Sequence, residues 1–202
     1  IISLTLKNNF FCGYLILMKK VNQSIQLPEG SFNVSMDFFD QSDFSNIKSL
    51  YNQWNNLSNL LVKYGGRRLN IPEVLSDGIV CIHFGAGRLT TSKGKFNSSW
   101  DCYQINNHRR IQVKATSVGT DLTSFGPKSV WDDLYFVSFF PYGKYDGSYE
   151  IFKIPNDLIY NFQVNKSETF KQQQKANRRP RFSVINGIIK AKSIKPIISN
   201  KL

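Results

Sequence analysis

The chain reads as one α/β domain, a central mixed sheet of four to five strands flanked by helices. Three observations predict it. A length of 202 residues suits a single hydrophobic core. A hydrophobic content of 41% with 20% charged residues excludes a disordered or fibrous chain. Stretches with helical spacing of apolar residues also intermix with short apolar or alternating runs bounded by turn residues.

The elements follow in order. Residues 10–18 are apolar but far shorter than the roughly 20 residues a bilayer requires. The pair Lys19-Lys20 follows that run instead of preceding it, which excludes a secretory signal. The expectation is that Met18 opens the working chain, that residues 1–17 are an upstream leader, and that residues 18–202 form the one domain. Across residues 43–64, Phe44, Ile47, Leu50, Tyr51, Trp54, Leu57, Leu60 and Leu61 recur at three- and four-residue steps. That spacing predicts a long amphipathic helix, capped by Asp43 or Ser45 and ended by Gly65-Gly66, whose stripe suits a core or a dimer seam. A second helix begins near Pro72. Residues 79–84 are apolar throughout and fit helix or strand. Gly85 and Gly87 break the pattern, and residues 88–98 form a polar, basic loop. Residues 100–105 and 110–116 then alternate as a hairpin around a turn at 106–109. Residues 128–133 read as a short helix, 134–140 as a buried strand and 149–154 as another. Pro155 opens a further helix, residues 165–180 are polar and basic, and residues 182–189 form a last strand or helix.

Charge narrows the partner. Lys and Arg number 26 against 14 Asp and Glu, for a net +12 and a pI near 9.7. That excess asks for a polyanion, nucleic acid first and an anionic membrane surface second. It is also directional. The C-terminal segment 163–202 carries ten basic residues against Glu168 alone, whereas Glu29, Asp37, Asp40 and Asp43 face only Lys48 in residues 28–62. Cys12, Cys81 and Cys102 have no CxxC spacing, so neither a disulfide framework nor a zinc site is expected, and a reducing cytoplasm fits. His83 suits a packed core position and His108 a turn, too few for a His-rich metal site.

The hairpin carries the chemistry. A two-residue turn centred on Asn107 and His108 sets Asp101 opposite Lys114 and Tyr103 opposite Gln112. Gln112 and Lys114, two apart, share a face. A carboxylate, an amide and an ammonium therefore converge. Mg2+ takes oxygen ligands, and Asp101, the Gln112 side-chain carbonyl and the Val113 backbone carbonyl offer three. Lys114 is placed to hold the attacking water and to stabilise charge on a phosphate. The plainer alternative is a cross-strand ion pair between Asp101 and Lys114, worth about 0.2–1 kcal/mol.

These residues resemble the catalytic core of the PD-(D/E)XK nucleases, in which an Asp and an acid-x-Lys lie on adjacent strands. Trp100 stands where that motif has Pro, and Gln112 where it has its second acid. The stretch RRLNIPEVLSD at 67–77 resembles the R-x-x-N-x-P-E-x-x-S-E segment of many type II restriction endonucleases of this fold. Glu73 and Asp77, four apart, share one helical face. The resemblance implies that Glu73 reaches the metal site and makes up the charge missing at Gln112. QVKAT at 112–116, SFGPKS at 124–129, WDDLYF at 131–136 and NRRPRF at 177–182 are similar to one small restriction endonuclease subfamily that cuts within GCNGC. The likeness runs from about residue 22 to 190.

It implies a PD-(D/E)XK-like core, Mg2+ as cofactor, double-stranded DNA as substrate, a two-fold symmetric homodimer and a separate cognate DNA methyltransferase, with no membrane association. Lys128, Arg178, Arg179 and Arg181 become candidates to read guanine, although phosphate contact is the plainer role for any one of them. Lys93 and Lys95 suit clamps on the DNA backbone. Two other readings remain open: a structure-selective repair or resolvase-like nuclease, and a DNA-binding protein in which Gln112 has killed the nuclease site.

Overall fold

The computed structural model describes residues 19–90 and 99–202. The expected leader, Cys12, Lys93 and Lys95 lie outside the described residues. Val21, Ile25 and Leu27, then Phe32, Val34 and Met36, alternate with polar residues and build a hairpin from β1 (Lys19–Leu27) and β2 (Gly30–Phe38). Two helices follow, α1 (Phe44–Lys63) and α2 (Glu73–Phe84). α2 absorbs residues 79–84, and Gly85 closes it in the left-handed conformation at φ 62°. Next come β3 (Gly87–Leu89), β4 (Cys102–Gln104), β5 (Arg109–Thr116), β6 (Thr123–Ser124), β7 (Asp133–Ser138) and β8 (Ser148–Ile154). The chain ends with α3 (Asn156–Tyr160), α4 (Phe170–Lys175), β9 (Arg181–Phe182), a π-helical segment Ile185–Lys190 and β10 (Ile198–Lys201).

The large sheet has the order β1-β2-β3-β4-β5-β7-β8-β10. Only β5 and β7 run parallel; the other neighbours are antiparallel. The class is therefore mixed α/β as expected, but the described sheet has eight strands. The additions are the N-terminal hairpin, the three-residue β3, which replaces the start of the expected loop, and the polar β10. On one face α1 and α2 pack over Ile111, Val113, Tyr135 and Val137. On the other, Phe125, Trp131, Ile159, Phe170 and Phe182 cover Tyr103, Leu134 and Phe136. The approach of α1 to α2 depends on Gly78, where a Cβ would lie 2.8 Å from Ile47 Cδ1.

Other expectations change. Residues 128–133 form no helix. A turn at Pro127 and Lys128 leads into irregular chain, where Trp131 is anchored: its Nε1 donates to Asn156 Oδ1 at 2.8 Å and its ring stacks on Tyr160. The α1 stripe is split. Ile47, Tyr51 and Trp54 are buried, while Leu50, Leu57 and Leu60 are exposed. The hairpin turn is longer than expected, a helical turn at Ile105–Asn107 followed by His108 at φ 56°. Register consequently shifts by two residues, with Tyr103 opposite Arg110 and Cys102 opposite Ile111. Asp101 comes level with Gln112, not Lys114. A shift of two preserves the pleat, so the same side chains keep their faces.

Candidate active site

The site forms where β4 and β5 part. Ladder pairing between them ends at Cys102 and Ile111, with one further bond from Asp101 N–H to Ile111 O at 2.8 Å. Beyond it the Val113 N–H finds no strand partner on that side and donates instead to Asp101 Oδ2 at 2.7 Å. Gln112 Nε2 donates to the same oxygen and also to Val113 O at 3.3 Å. The Asp101 carboxylate thus sits in the gap of the sheet. Burial raises its pKa, while Lys114, the Val113 N–H and Gln112 pull it back.

On the α2 side of the gap stands a group of acids. Asp37 on β2 pairs in register with Arg88 on β3. The Arg88 guanidinium reaches three carboxylates: Nε to Asp77 Oδ2 at 3.2 Å, Nη2 to Glu73 Oε1 at 2.8 Å and Nη1 to Asp37 Oδ2 at 3.7 Å. Burial, together with the charge of Asp101, pushes the Asp77 carboxyl up to about 7 against the pull of Arg88. Among the described residues no three His, Cys, Asp or Glu side chains are grouped to hold a metal ion by themselves.

On the other face, Lys114 shares its side of the sheet with Gln112, and its Nζ lies 5.5 Å from the centroid of the Phe125 ring. Burial lowers its pKa, opposed by Asp101 and Asp77 and assisted by the neighbouring Arg179. The Arg179 segment is fastened there by Phe125 N–H donating to Pro180 O at 3.0 Å and by pairing of β6 with β9. A cleft of about 410 Å3 opens beside Lys114, lined among others by Arg68, Asn70, Thr116, Asp121 and Ser124.

The structure therefore brings Asp101, Gln112, Val113 and Lys114 together and sets Arg179 beside them. Glu73 comes near through Arg88, and its charge acts on both Asp77 and Asp101. Arg178 is tied to Glu168. Arg181 is an exposed residue of β9, and Lys128 is exposed in its turn. Two participants, Arg88 and Asp37, carry no site assignment from the sequence. Asp77 stands at the last acid of the restriction-enzyme-like segment, whereas Arg88 falls in the expected basic loop and Asp37 in the acidic stretch 28–62. The alternation across residues 32–38 was the available signal for Asp37. His83 is partly buried, as its apolar setting suggests, and its Nε2 lies 2.8 Å from Tyr149 Oη. Cys81 and Cys102 are buried free thiols with Sγ atoms 3.6 Å apart.

A carboxylate and a lysine on neighbouring strands, beside a cleft with Arg68 in its wall and Arg179 near the lysine, are the equipment of a nuclease. Comparison with known proteins agrees. The type II restriction enzyme Bsp6I of Bacillus sp. (strain RFL6) is 33% identical over 166 residues, covering 81% of this chain and 90% of that one. The family model of the Bsp6I restriction endonuclease matches residues 39–191. The chain belongs to the Bsp6I restriction endonuclease family and is a type II restriction endonuclease. No solved structure matches it. No helix among the described residues is long and apolar enough to cross a membrane.

Proposed function

We propose that this chain is a Mg2+-dependent endonuclease of the PD-(D/E)XK type. It hydrolyses double-stranded DNA at a short palindrome, GCNGC by resemblance, acts as a homodimer in the cytoplasm, and works beside a separate methyltransferase. The observation that carries the reading is Asp101, held in the split of the sheet with Gln112, Val113 and Lys114 around it.

The donor set fits a hard cation. The Gln112 Nε2 bonds Asp101 Oδ2 and Val113 O, two oxygens that an oxygen-seeking ion would also take. Turning the amide over would offer Oε1 in its place. Asp101, Val113 O and Gln112 would then hold Mg2+, with Glu73 as the adjacent second acid. The ion's contribution is to polarise the phosphate and acidify water. Lys114, made less basic by burial, orients that water and faces the charge that develops on phosphate. Arg179, beside Lys114, grips the DNA backbone. Arg178, Arg181 and Lys128 flank it as backbone or guanine contacts, and Lys93 and Lys95 would clamp the backbone from their own loop.

The test is digestion of DNA of known sequence with Mg2+, followed by mapping of the cut ends. Discrete fragments ending within GCNGC are expected. Cuts at branched or mismatched DNA only would favour the repair-nuclease reading. Binding without cutting would favour the dead-site reading. Gln112→Glu restores the usual acid and is expected to keep activity; complete loss would mean that the amide itself is needed.

A further inference from the structure

We propose that Arg88 is a positioning residue, which holds the carboxylate of Glu73 over the Asp101 site. The inference rests on the active-site reading above and adds to it a residue outside the matched motifs.

Arg88 lies on β3, between Asp37 on β2 and Cys102 on β4, in one row across the sheet next to Asp101. Its three carboxylate partners are not alike. The side chains of Asp37 and Asp77 are only 11% and 8% exposed, whereas that of Glu73 is 81% exposed. Two buried acids therefore fix the guanidinium, and its remaining nitrogen is presented to a third acid that little else restrains. An exposed glutamate in the first turn of a helix samples many rotamers. One held at 2.8 Å by a fixed guanidinium does not. The planar fork of arginine is what allows one side chain to serve three carboxylates in different directions; lysine is a point charge and does not reproduce it.

Position matters here because Gln112 leaves the site one acid short of the usual pattern. If Glu73 supplies that charge, its placement becomes part of the reaction. A merely structural Arg88 would stabilise the fold and act independently of Glu73.

The experiment is a double-mutant cycle on DNA cleavage with Mg2+, reading kcat and KM separately. Arg88→Lys keeps the positive charge among the acids and so protects the fold, which thermal unfolding checks. Expected is a loss in kcat of about 10–100-fold, the range for residues that orient a ligand, with KM for DNA unchanged. Glu73→Gln should lose as much or more, and Arg88→Lys should cost nothing further in the Glu73→Gln background. Asp37→Asn removes one anchor while leaving Arg88 in place, and should likewise lower kcat only when Glu73 is present. Multiplying losses, an unchanged kcat or an effect confined to KM would overturn the proposal. Lys114→Ala separates the two levels. If it cuts at the wild-type rate, the active-site reading falls and takes this inference with it. If it is inactive while the Arg88 and Glu73 losses multiply, only the role of Arg88 falls.

Discussion

Two ionic clusters lie along the same strand. At the start of β5, Arg110 meets Asp132 through its backbone N–H at 2.8 Å, Nε at 3.0 Å and Nη2 at 2.8 Å. Beside it Asp133 takes Arg109 and, at 2.8 Å, Lys153 Nζ. Burial pushes both carboxyls up, but the cationic hydrogen bonds win and both titrate below the usual range. Two residues further along the strand the balance reverses. Asp37, Glu73 and Asp77 surround Arg88, Asp101 and Asp77 act on Lys114, and burial leaves Asp77 and Asp101 above the usual range. Both clusters are built of carboxylates, arginine and lysine. What differs is matching: the first cluster is complete and fastens β5 to β7, whereas the second carries excess acid at a split in the sheet.

The largest expected effect separates the two by chemistry. Lys114→Ala and Asp101→Ala should each lower the single-turnover cleavage rate by about 100-fold or more, the scale for removing one group that stabilises the transition state. Specific DNA binding should survive, as measured by gel shift without Mg2+. Cutting at the wild-type rate by either variant would remove that residue from the site. Asp132→Ala should do the opposite. It leaves the Arg110 N–H without its acceptor and costs about 1–3 kcal/mol in denaturant unfolding, while cleavage per folded molecule is unchanged. Were Asp132→Ala to lose cutting with stability intact, the contrast between fastener and reaction site would collapse.

How much of this was legible beforehand follows the same divide. The hairpin strands, both long helices and the convergence of Asp101, Gln112 and Lys114 come from local signals: period-two alternation, period-3.6 apolar spacing, and residues two apart on a strand. The faces came out right even though the register was two residues off, because pleat parity tolerates an even slip. The turn length itself was hidden, since His108 takes a left-handed conformation that its residue type permits but does not announce. The meeting of Arg88 with Asp37 is hidden for another reason. The two meet only because β3 inserts between β2 and β4, a long-range pairing of a three-residue strand that has no periodicity to read. The N-terminal hairpin did carry alternation around Gly30 and could have been found.

The smallest expected effect concerns pH, where the clusters should tilt stability in opposite directions. Asp77 titrates at about 7 in the folded chain, against about 4 when unfolded. Between those values the folded state binds more protons than the unfolded state. Stability therefore falls as pH rises from about 4 to 7 and levels off above. Asp132 and Asp133 have depressed folded values. Their contribution is present above the unfolded value of about 4 and is lost as pH falls through the folded one. Denaturant midpoints measured across this range should show both limbs in the wild type. Asp77→Asn should flatten the neutral limb and leave the acid limb, and Asp132→Ala should weaken the acid limb alone. If Asp77→Asn kept the full neutral slope, the excess acid at the split would have to reside elsewhere, and Asp101 would be the group to replace next.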